Sequence, residues 1–416
     1  MHSMKLLPAT LAIAALLAGC GREAPSSSIE VLPVPSATGA MGPNLATGPE
    51  GAIVLSWMEP DDDGHALRHS LLGADGWGAP RTVARGGNWF VNWADFPSVV
   101  PLEGDLWAAH WLASQPEGGY AYDVKVALSE DAGVTWSDPF LPHFDDTPTE
   151  HGFVTLFPDS NGVGLVWLDG RNMVNEFDEN DVAASGMTLR GATFGIDQAP
   201  IRDALIDDLT CDCCQTDVAL TPDGPVAVYR DRTTEEIRDI YVSRREFGEW
   251  QPGVPVAEDN WEIPACPVNG PIVRANGSNV AVAWFTAAND RPVVNAAWST
   301  DGGRSFGNAV EVSTETPLGH VGAVMLPDGD LVIGWHRRAG AGGAVLILRR
   351  VSANGVSSGP IVLAEAEQVF AFSVPQLALR DDQLIVAWTN IVDDVYSVQT
   401  AMVPTAVLGD PAAPKR

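Results

Sequence analysis

Acidic and basic side chains alternate between Tyr229 and Tyr241 in a pattern that could bind an anionic ligand. Guanidinium groups grip a carboxylate through two parallel hydrogen bonds, and neighbouring acids can hold those groups in place. The same pattern also occurs in solvated ion-pair networks of little energetic consequence, so both interpretations remain open. The candidates for substrate binding are Arg230, Arg232 and Arg238. The candidates for catalysis are Asp231, Glu235, Asp239 and Tyr241.

A second segment offers similar chemistry on a smaller scale. Asp169 and Arg171 directly follow the apolar run Val163–Trp167, at the end of a predicted strand. Two carboxyl groups on either side of a bound substrate can act as a general acid and as a base or nucleophile. Asp169 is a candidate for one of these roles and Arg171 for substrate binding, although the segment would also make an ordinary hairpin turn. Trp261 and Arg337 complete the candidates for substrate binding.

Histidines outside these segments give a weaker signal. His151, His320 and His336 each stand alone at the end of a loop or strand. A structural, hydrogen-bonded role is therefore the expectation for each of them.

Four cysteines fall in two segments of the chain, namely Cys211, Cys213, Cys214 and Cys266. An even number in an exported protein favours two disulfides, and the sequence does not decide their pairing. Four soft ligands could instead hold Cu(I) or Zn(II), although the spacing is not that of a familiar zinc finger. A free reactive thiol is the third alternative.

The elements that position these groups repeat along the chain. Seven apolar runs end in an aromatic residue at intervals of 51 to 62 residues, with turn signals such as Pro-Asp-Gly in front of them. Strand-like segments flank each run, which indicates four antiparallel strands per repeat. We therefore predict an all-β fold, a β-propeller of four-stranded blades, over residues 29–410 as one domain. Seven blades are expected, with six as the alternative.

Two eight-residue segments fit the pattern S-x-D-x-G-x-[T/S]-[W/F]. They are Ser129–Trp136 and Ser299–Phe306, about three repeats apart. Both resemble the Asp-box of the sialidase-like and BNR-repeat β-propellers. The resemblance implies that each box is a turn between two outer strands, in which the Asp binds the backbone of its own loop. It also implies a glycan-directed protein, a sialidase-like hydrolase or a relative that binds or hydrolyses an acidic sugar.

Catalytic roles do not carry over from that family residue by residue. Its Arg-Ile-Pro signature in the first blade is missing, because residues 29–50 contain no arginine. Whether the chain is an enzyme therefore stays open. The alternatives are a non-catalytic propeller that binds a partner and a metal or redox protein that uses the cysteines.

Propeller topology predicts which loops lie together. The loops from second to third strands and the loops between blades open on one face, and the Asp-box turns on the other. The arginine-rich, Asp169 and cysteine segments all belong to the first face, where we expect the site. The last repeat has only three clear strands, and we expect Ile29–Val34 to supply the fourth, which removes open sheet edges.

The N-terminus predicts export. Lys5 precedes the apolar stretch Leu11–Leu17, which is too short to span a bilayer as a mature helix. Leu17–Cys20 resembles the bacterial lipobox, which implies a signal peptide over residues 1–19, lipidation of Cys20 and a tether over residues 20–28. Gly21 in the next position implies the outer membrane, whereas an ordinary secretory signal is the alternative.

The charge of the chain restricts its partners. A formal net charge of −30 repels nucleic acid and anionic lipid. The expected partners are therefore a glycan or protein at the bacterial cell envelope, and the membrane through the lipid anchor. No cofactor is certain, with Cu or Zn at the cysteines as the possibility to test.

Overall fold

The chain forms a ring of seven antiparallel sheets. The computed structural model describes residues 28–116, 118–159, 162–175, 186–340, 342–366 and 373–411. Its sheets follow one another around a common axis, so the protein is a seven-bladed β-propeller. The prediction of seven blades is confirmed and the alternative of six is wrong. The predicted signal peptide and the lipidation site Cys20 lie outside the described residues.

Each blade is built from consecutive strands, with the innermost strand given first. Blade 1 contains Met41–Thr47, Ile53–Asp61, Gly64–Gly73, Gly76–Trp77 and Arg81–Gly86. Blade 2 contains Ser98–Pro101, Trp107–Ser114 and Tyr122–Ser129. Blade 3 contains His151–Asp159, Gly162–Asp169, Met187–Gly195 and Pro200–Thr210. Blade 4 contains Asp217–Thr221, Gly224–Arg230, Ile240–Glu246, Glu249–Trp250 and Val254–Pro255.

The remaining blades follow the same plan. Blade 5 contains Ile272–Asn276, Asn279–Thr286, Val293–Ser299 and Val310–Glu311. Blade 6 contains Pro317–Met325, Leu331–Ala339, Gly343–Val351 and Ile361–Ala366. Blade 7 contains Gln376–Arg380, Gln383–Val392 and Val395–Pro404, with Glu30–Leu32 from the N-terminus. Short 3-10 helices occupy Pro49–Gly51, Arg171–Asn175, Ala288–Asp290 and Thr405–Leu408. Within the described ranges no helix is both long and apolar enough to cross a membrane.

The ring closes through its two termini, as predicted. Glu30–Leu32 pairs antiparallel with Val395–Pro404, so that the outer edge of blade 7 is covered by the start of the chain. The Thr400 hydroxyl donates to the Leu32 carbonyl at 2.8 Å and fixes the end of this strand. Closure matters because an uncovered edge would offer unpaired backbone groups to other molecules.

The recurring aromatic residues form a buried layer. Each lies on the second strand of its blade, where side chains on both faces of the sheet are covered by neighbouring blades. The seven are Trp57, Trp111, Trp167, Tyr229, Trp284, Trp335 and Trp388. Burying a large ring in every blade adds a large apolar contact between neighbouring sheets.

The two Asp-box turns bind their own backbone. Asp131 accepts hydrogen bonds from the Val134 and Thr135 amides at 3.1 and 2.8 Å. Asp301 accepts from the Arg304 and Ser305 amides, both at 3.0 Å. Each turn follows the third strand of its blade, so the Asp has a structural role at the far end from the candidate site.

Candidate functional site

The structure gathers the predicted residues into separate groups around the blade 3 strand Met187–Gly195. On one side, the Thr188 hydroxyl donates to the Asp169 carbonyl at 3.2 Å. On the other, the Met187 amide donates to Asp212 at 3.3 Å, beside the cysteines. We call the first group the acid–histidine cluster; it consists of Asp123, His143, Asp145, His151, Asp169 and Arg171. We call the second the cysteine–arginine cluster; it consists of Cys211, Asp212, Cys213, Cys214, Arg232, Glu236, Arg238 and Cys266.

Sheet register assembles the centre of the acid–histidine cluster. His151 begins the first strand of blade 3 and Asp169 ends the second, and the two residues are direct partners across the sheet. Asp123 belongs to the third strand of blade 2. His143 and Asp145 come from the loop that joins blades 2 and 3. The cluster therefore lies at the boundary of two blades, on the face predicted to carry the site.

Asp169 is fully buried and ionised. Its carboxylate accepts two hydrogen bonds from Arg171, from Nε and Nη2, both at 2.7 Å. The Trp167 indole donates a third at 2.8 Å. Burial raises the pKa of Asp169, but the Arg171 hydrogen bonds and the charge of His151 outweigh it and lower the pKa. Arg171 is thus committed to this carboxylate, while a fifth of its side chain remains exposed.

The two histidines of the cluster differ in their charge preference. Their rings stack with centroids 3.8 Å apart and an interplanar angle of 3°. Burial lowers the pKa of His151, but the carboxylates of Asp145 and Asp169 outweigh it and raise the pKa. Burial lowers the pKa of His143, and Asp145 compensates only in part. One charged and one neutral imidazole can stack, whereas two charged rings would repel each other.

A cleft of about 300 Å³ opens beside this cluster. Asp123 and His143 form part of its lining, with residues of the loops on either side of the third strand of blade 2. The same two loops carry Tyr120 and Phe144, whose side chains are 71% and 66% exposed. Polar groups at the floor and exposed aromatic rings nearby are features of small-molecule and sugar sites.

The four cysteines come together from two separate segments of the chain. Cys213 and Cys266 form a disulfide, and Cys211 and Cys214 are buried thiols with Sγ atoms 3.1 Å apart. The hydrogen bond from Cys214 lowers the pKa of Cys211 to about 6, and the charge of Arg238 acts in the same direction. Burial raises the pKa of Cys214. The structure thus contains one of the two expected disulfides.

Arg232 and Arg238 belong to the cysteine–arginine cluster. Both guanidinium groups bind the Glu236 carboxylate, with Nη2 atoms 2.7 and 2.8 Å from its oxygens. Arg238 also donates to the Cys211 sulfur at 3.4 Å. The guanidinium groups of Arg232 and Arg238 therefore bind acidic groups and a cysteine sulfur of the protein itself.

Arg230 is built into the fold. Its guanidinium is buried and donates to the carbonyls of Asn269, Phe285 and Arg238 at distances between 2.6 and 3.0 Å. It also lies 4.9 Å from the ring centre of Trp261, which is itself buried. The sequence predicted both residues for substrate binding. In the structure, the Arg230 N–H groups donate to backbone carbonyls and the Trp261 ring contacts Arg230.

Of the remaining candidates, Asp231, Asp239 and Tyr241 lie near one another, and the Asp231 amide donates to the Asp239 carbonyl at 2.9 Å. Asp239 is buried and accepts from the amides of the Trp261 loop. Burial, with the charge of the nearby Asp207, raises the pKa of Asp231 to about 7. Glu235 is exposed, and burial raises the pKa of the half-buried Tyr241. Arg337 is paired with Glu315 in the blade 6 region.

Sequence reasoning missed His143, Asp145 and Asp123 as members of a site. Asp123 lies on a strand, whereas His143 and Asp145 lie in a loop, and the spacing of the three residues matches no known motif. The signal that could have found them was topological. The loop between blades 2 and 3 lies on the same face as Asp169, and so does the start of the third strand of blade 2. This topology places other polar side chains next to His151.

Comparison with known proteins supports the fold. No protein-family model and no curated protein matches the chain. Among solved structures, a polysaccharide lyase family PL25 ulvan lyase bound to -[GlcA(1-4)Rha3S]- is similar, with a TM-score of 0.55, 10% identity and 89% of this chain and 95% of that chain covered. A GH93 α-L-arabinofuranosidase of Fusarium graminearum has a TM-score of 0.50 at 12% identity, with 91% of this chain and 97% of that chain covered. The NanB sialidase of Streptococcus pneumoniae has a TM-score of 0.47 at 9% identity, with 86% of this chain and 84% of that chain covered.

Proposed function

We propose that this propeller is a glycan-directed protein that binds an acidic sugar chain in the cleft beside the acid–histidine cluster. The observation that carries the proposal is the cleft itself, with His143 and Asp123 in its lining and the exposed rings of Tyr120 and Phe144 in the loops around it. Aromatic faces stack on the apolar faces of sugar rings, and buried acid and imidazole groups orient hydroxyl and carboxyl groups.

The structural relatives add support of a general kind. Two propellers that share the fold are named as enzymes acting on carbohydrates, and one of these is bound to a glucuronate-containing glycan. A shared fold alone is weak support for chemistry, because propellers carry many functions. The proposal therefore concerns binding of a glycan. Cleavage of the bound glycan is tested separately, by measuring released products. Export and attachment to the outer membrane through Cys20 belong to the proposal.

The test is binding of acidic and neutral polysaccharides to the purified protein, with release of products followed in parallel. Replacing both Tyr120 and Phe144 by Ala should weaken binding about tenfold or more, which corresponds to about 1.4 kcal/mol. Phe247→Ala is the matched control, because this ring is fully exposed in a hairpin of blade 4 outside the cleft loops. An equal loss in the control, or no loss in the double variant, would contradict the proposal.

The thiol pair supports a second candidate function, in redox chemistry or thiophilic metal binding. Cys211 and Cys214 have C-x-x-C spacing, and the buried Cys211 thiol, with its pKa lowered to about 6, is largely a thiolate at neutral pH. Thiol titration of the denatured protein, together with elemental analysis for Cu and Zn, tests it. Two free thiols without metal favour a redox pair, and one equivalent of metal favours a metal site. No free thiol and no metal would leave only two structural disulfides.

A further inference from the structure

The hydrogen bonding of His151 fixes which of its ring nitrogens carries hydrogen. Nδ1 lies 3.3 Å from the Tyr122 carbonyl and 3.2 Å from the Thr149 carbonyl. Carbonyl oxygens only accept, so Nδ1 must donate. Nε2 lies 3.1 Å from Asp145 Oδ2 and 3.8 Å from Asp169 Oδ2. A nitrogen lone pair that faces two carboxylates needs positive charge between them, which either a proton or a metal ion supplies.

A proton on His151 leaves a second group unexplained. His143 Nε2 is buried without a hydrogen-bond partner among the described residues, and the side chain is only 4% exposed. Asp123 Oδ1 lies 3.9 Å away, which is too far for a hydrogen bond. Leaving such a buried nitrogen unpaired is unfavourable, because it loses its hydrogen bond to water and gains none in the protein. Two ligands that each lie about 2.1 Å from one ion can be separated by this distance.

We propose that the acid–histidine cluster binds one divalent transition-metal ion. The cluster contains two donor triads that share His151, and within each triad the ligand atoms all lie within 4.8 Å of one another. One triad is Asp145, His151 and Asp169, and the other is Asp123, His143 and His151. Imidazole and carboxylate together suit Mn(II), Fe(II) or Zn(II) rather than Cu(I), which prefers the thiolates elsewhere on this face.

The surroundings of these ligands are those of a supported metal site. Ligating histidines usually donate their other N–H to a carbonyl, and ligating carboxylates are themselves hydrogen-bonded. His151 donates to carbonyls through Nδ1, and Asp169 is held by the fork of Arg171. Both groups are therefore oriented before any ion arrives.

The ion would also supply positive charge for a ligand, and this role rests on the proposed function. The chain carries a formal net charge of −30. In the cluster, Arg171 pairs with Asp169 and Asp145, and Lys125 lies 3.5 Å from Asp123, so the three carboxylates already have cationic partners. A divalent cation beside the cleft would add positive charge where a glycan carboxylate could approach. The site would then bind an acidic sugar despite the overall repulsion.

The test is titration of the metal-free full chain with Mn²⁺ alone, with the free ion followed by electron paramagnetic resonance. Mn²⁺ is chosen because thiolates bind it poorly, so the cysteines do not contribute. We expect one ion per chain, loss of binding in His151→Gln and unchanged binding in His65→Gln, which lies outside the cluster. If His151→Gln does not fold, His143→Gln decides, with an expected weakening of at least about tenfold. No uptake by the wild type, or uptake unchanged by the cluster variants, would overturn the proposal.

The metal and glycan proposals fail separately. The Mn²⁺ titration contains no glycan, so uptake without glycan binding would refute only the proposed function. Glycan binding that is the same with chelator and with added Mn²⁺, without any uptake of Mn²⁺, would refute only the metal site. Glycan binding that is lost with the chelator and restored by Mn²⁺ would support both.

Discussion

At the residue scale, burial decides which charged groups hold the fold and which are open to a ligand. Arg230 satisfies three carbonyls from three different segments, whereas Arg232 pairs with an acid and keeps about a fifth of its side chain exposed. We expect Arg230→Met to lower the free energy of unfolding by about 3 kcal/mol, because the carbonyls lose their donors. Arg232→Met should cost less than about 1 kcal/mol. Urea unfolding of the two variants measures this, and equal losses would contradict it.

Asp95 predicts a pH dependence of stability at the same scale. Burial raises the pKa of this carboxyl from 3.8 to about 7, although the Phe153 amide donates to it at 2.8 Å. Between these values the folded protein holds a proton that the unfolded chain has lost, so stability falls as the pH rises from about 4 to 7. Asp95→Asn should flatten this slope by up to about 1.4 kcal/mol for each unit of pKa shift. Asp231, with its pKa also near 7, should keep part of the slope.

The measurement for Asp95 is urea unfolding at several pH values across this window. The exposed Asp138 provides the control, because Asp138→Asn removes a carboxylate without changing a buried group. A slope that is the same in Asp95→Asn and in the wild type would show that Asp95 is ionised in the folded protein.

At the scale of elements, the repeat was readable from the sequence and the site only in part. Recurring buried aromatics such as Trp167 mark second strands, because each blade needs the same packing layer. Asp169 and Arg171 were found because they directly follow such a strand. His143 and Asp145 were not, because their partners come from two blades and depend on tertiary packing. The sequence also could not tell whether Arg230 points at solvent or at carbonyls.

The closing strand gives the prediction at this scale. Glu30–Leu32 pairs with Val395–Pro404 and is the only part of the described N-terminal region that forms a strand before blade 1. A chain that begins at residue 36 should melt at a lower temperature and self-associate, because the exposed edge can pair with another molecule. A chain that begins at residue 29 is the control. Melting by circular dichroism and size-exclusion chromatography over a range of concentrations would reveal both effects, and identical behaviour of the two chains would contradict the prediction.

At the scale of the whole molecule, the charge of −30 opposes the approach of the ligand that the cleft is proposed to bind. Long-range repulsion is screened by salt, since the Debye length falls from about 30 Å at 0.01 M to about 8 Å at 0.15 M. The association rate constant of an acidic oligosaccharide should therefore rise with salt over this range, whereas that of a neutral one should stay nearly constant. A ligand that is steered by attraction shows the opposite trend. Stopped-flow measurements with both sugars distinguish the cases, and a rate constant that falls with salt would mean that the field at the cleft is already positive.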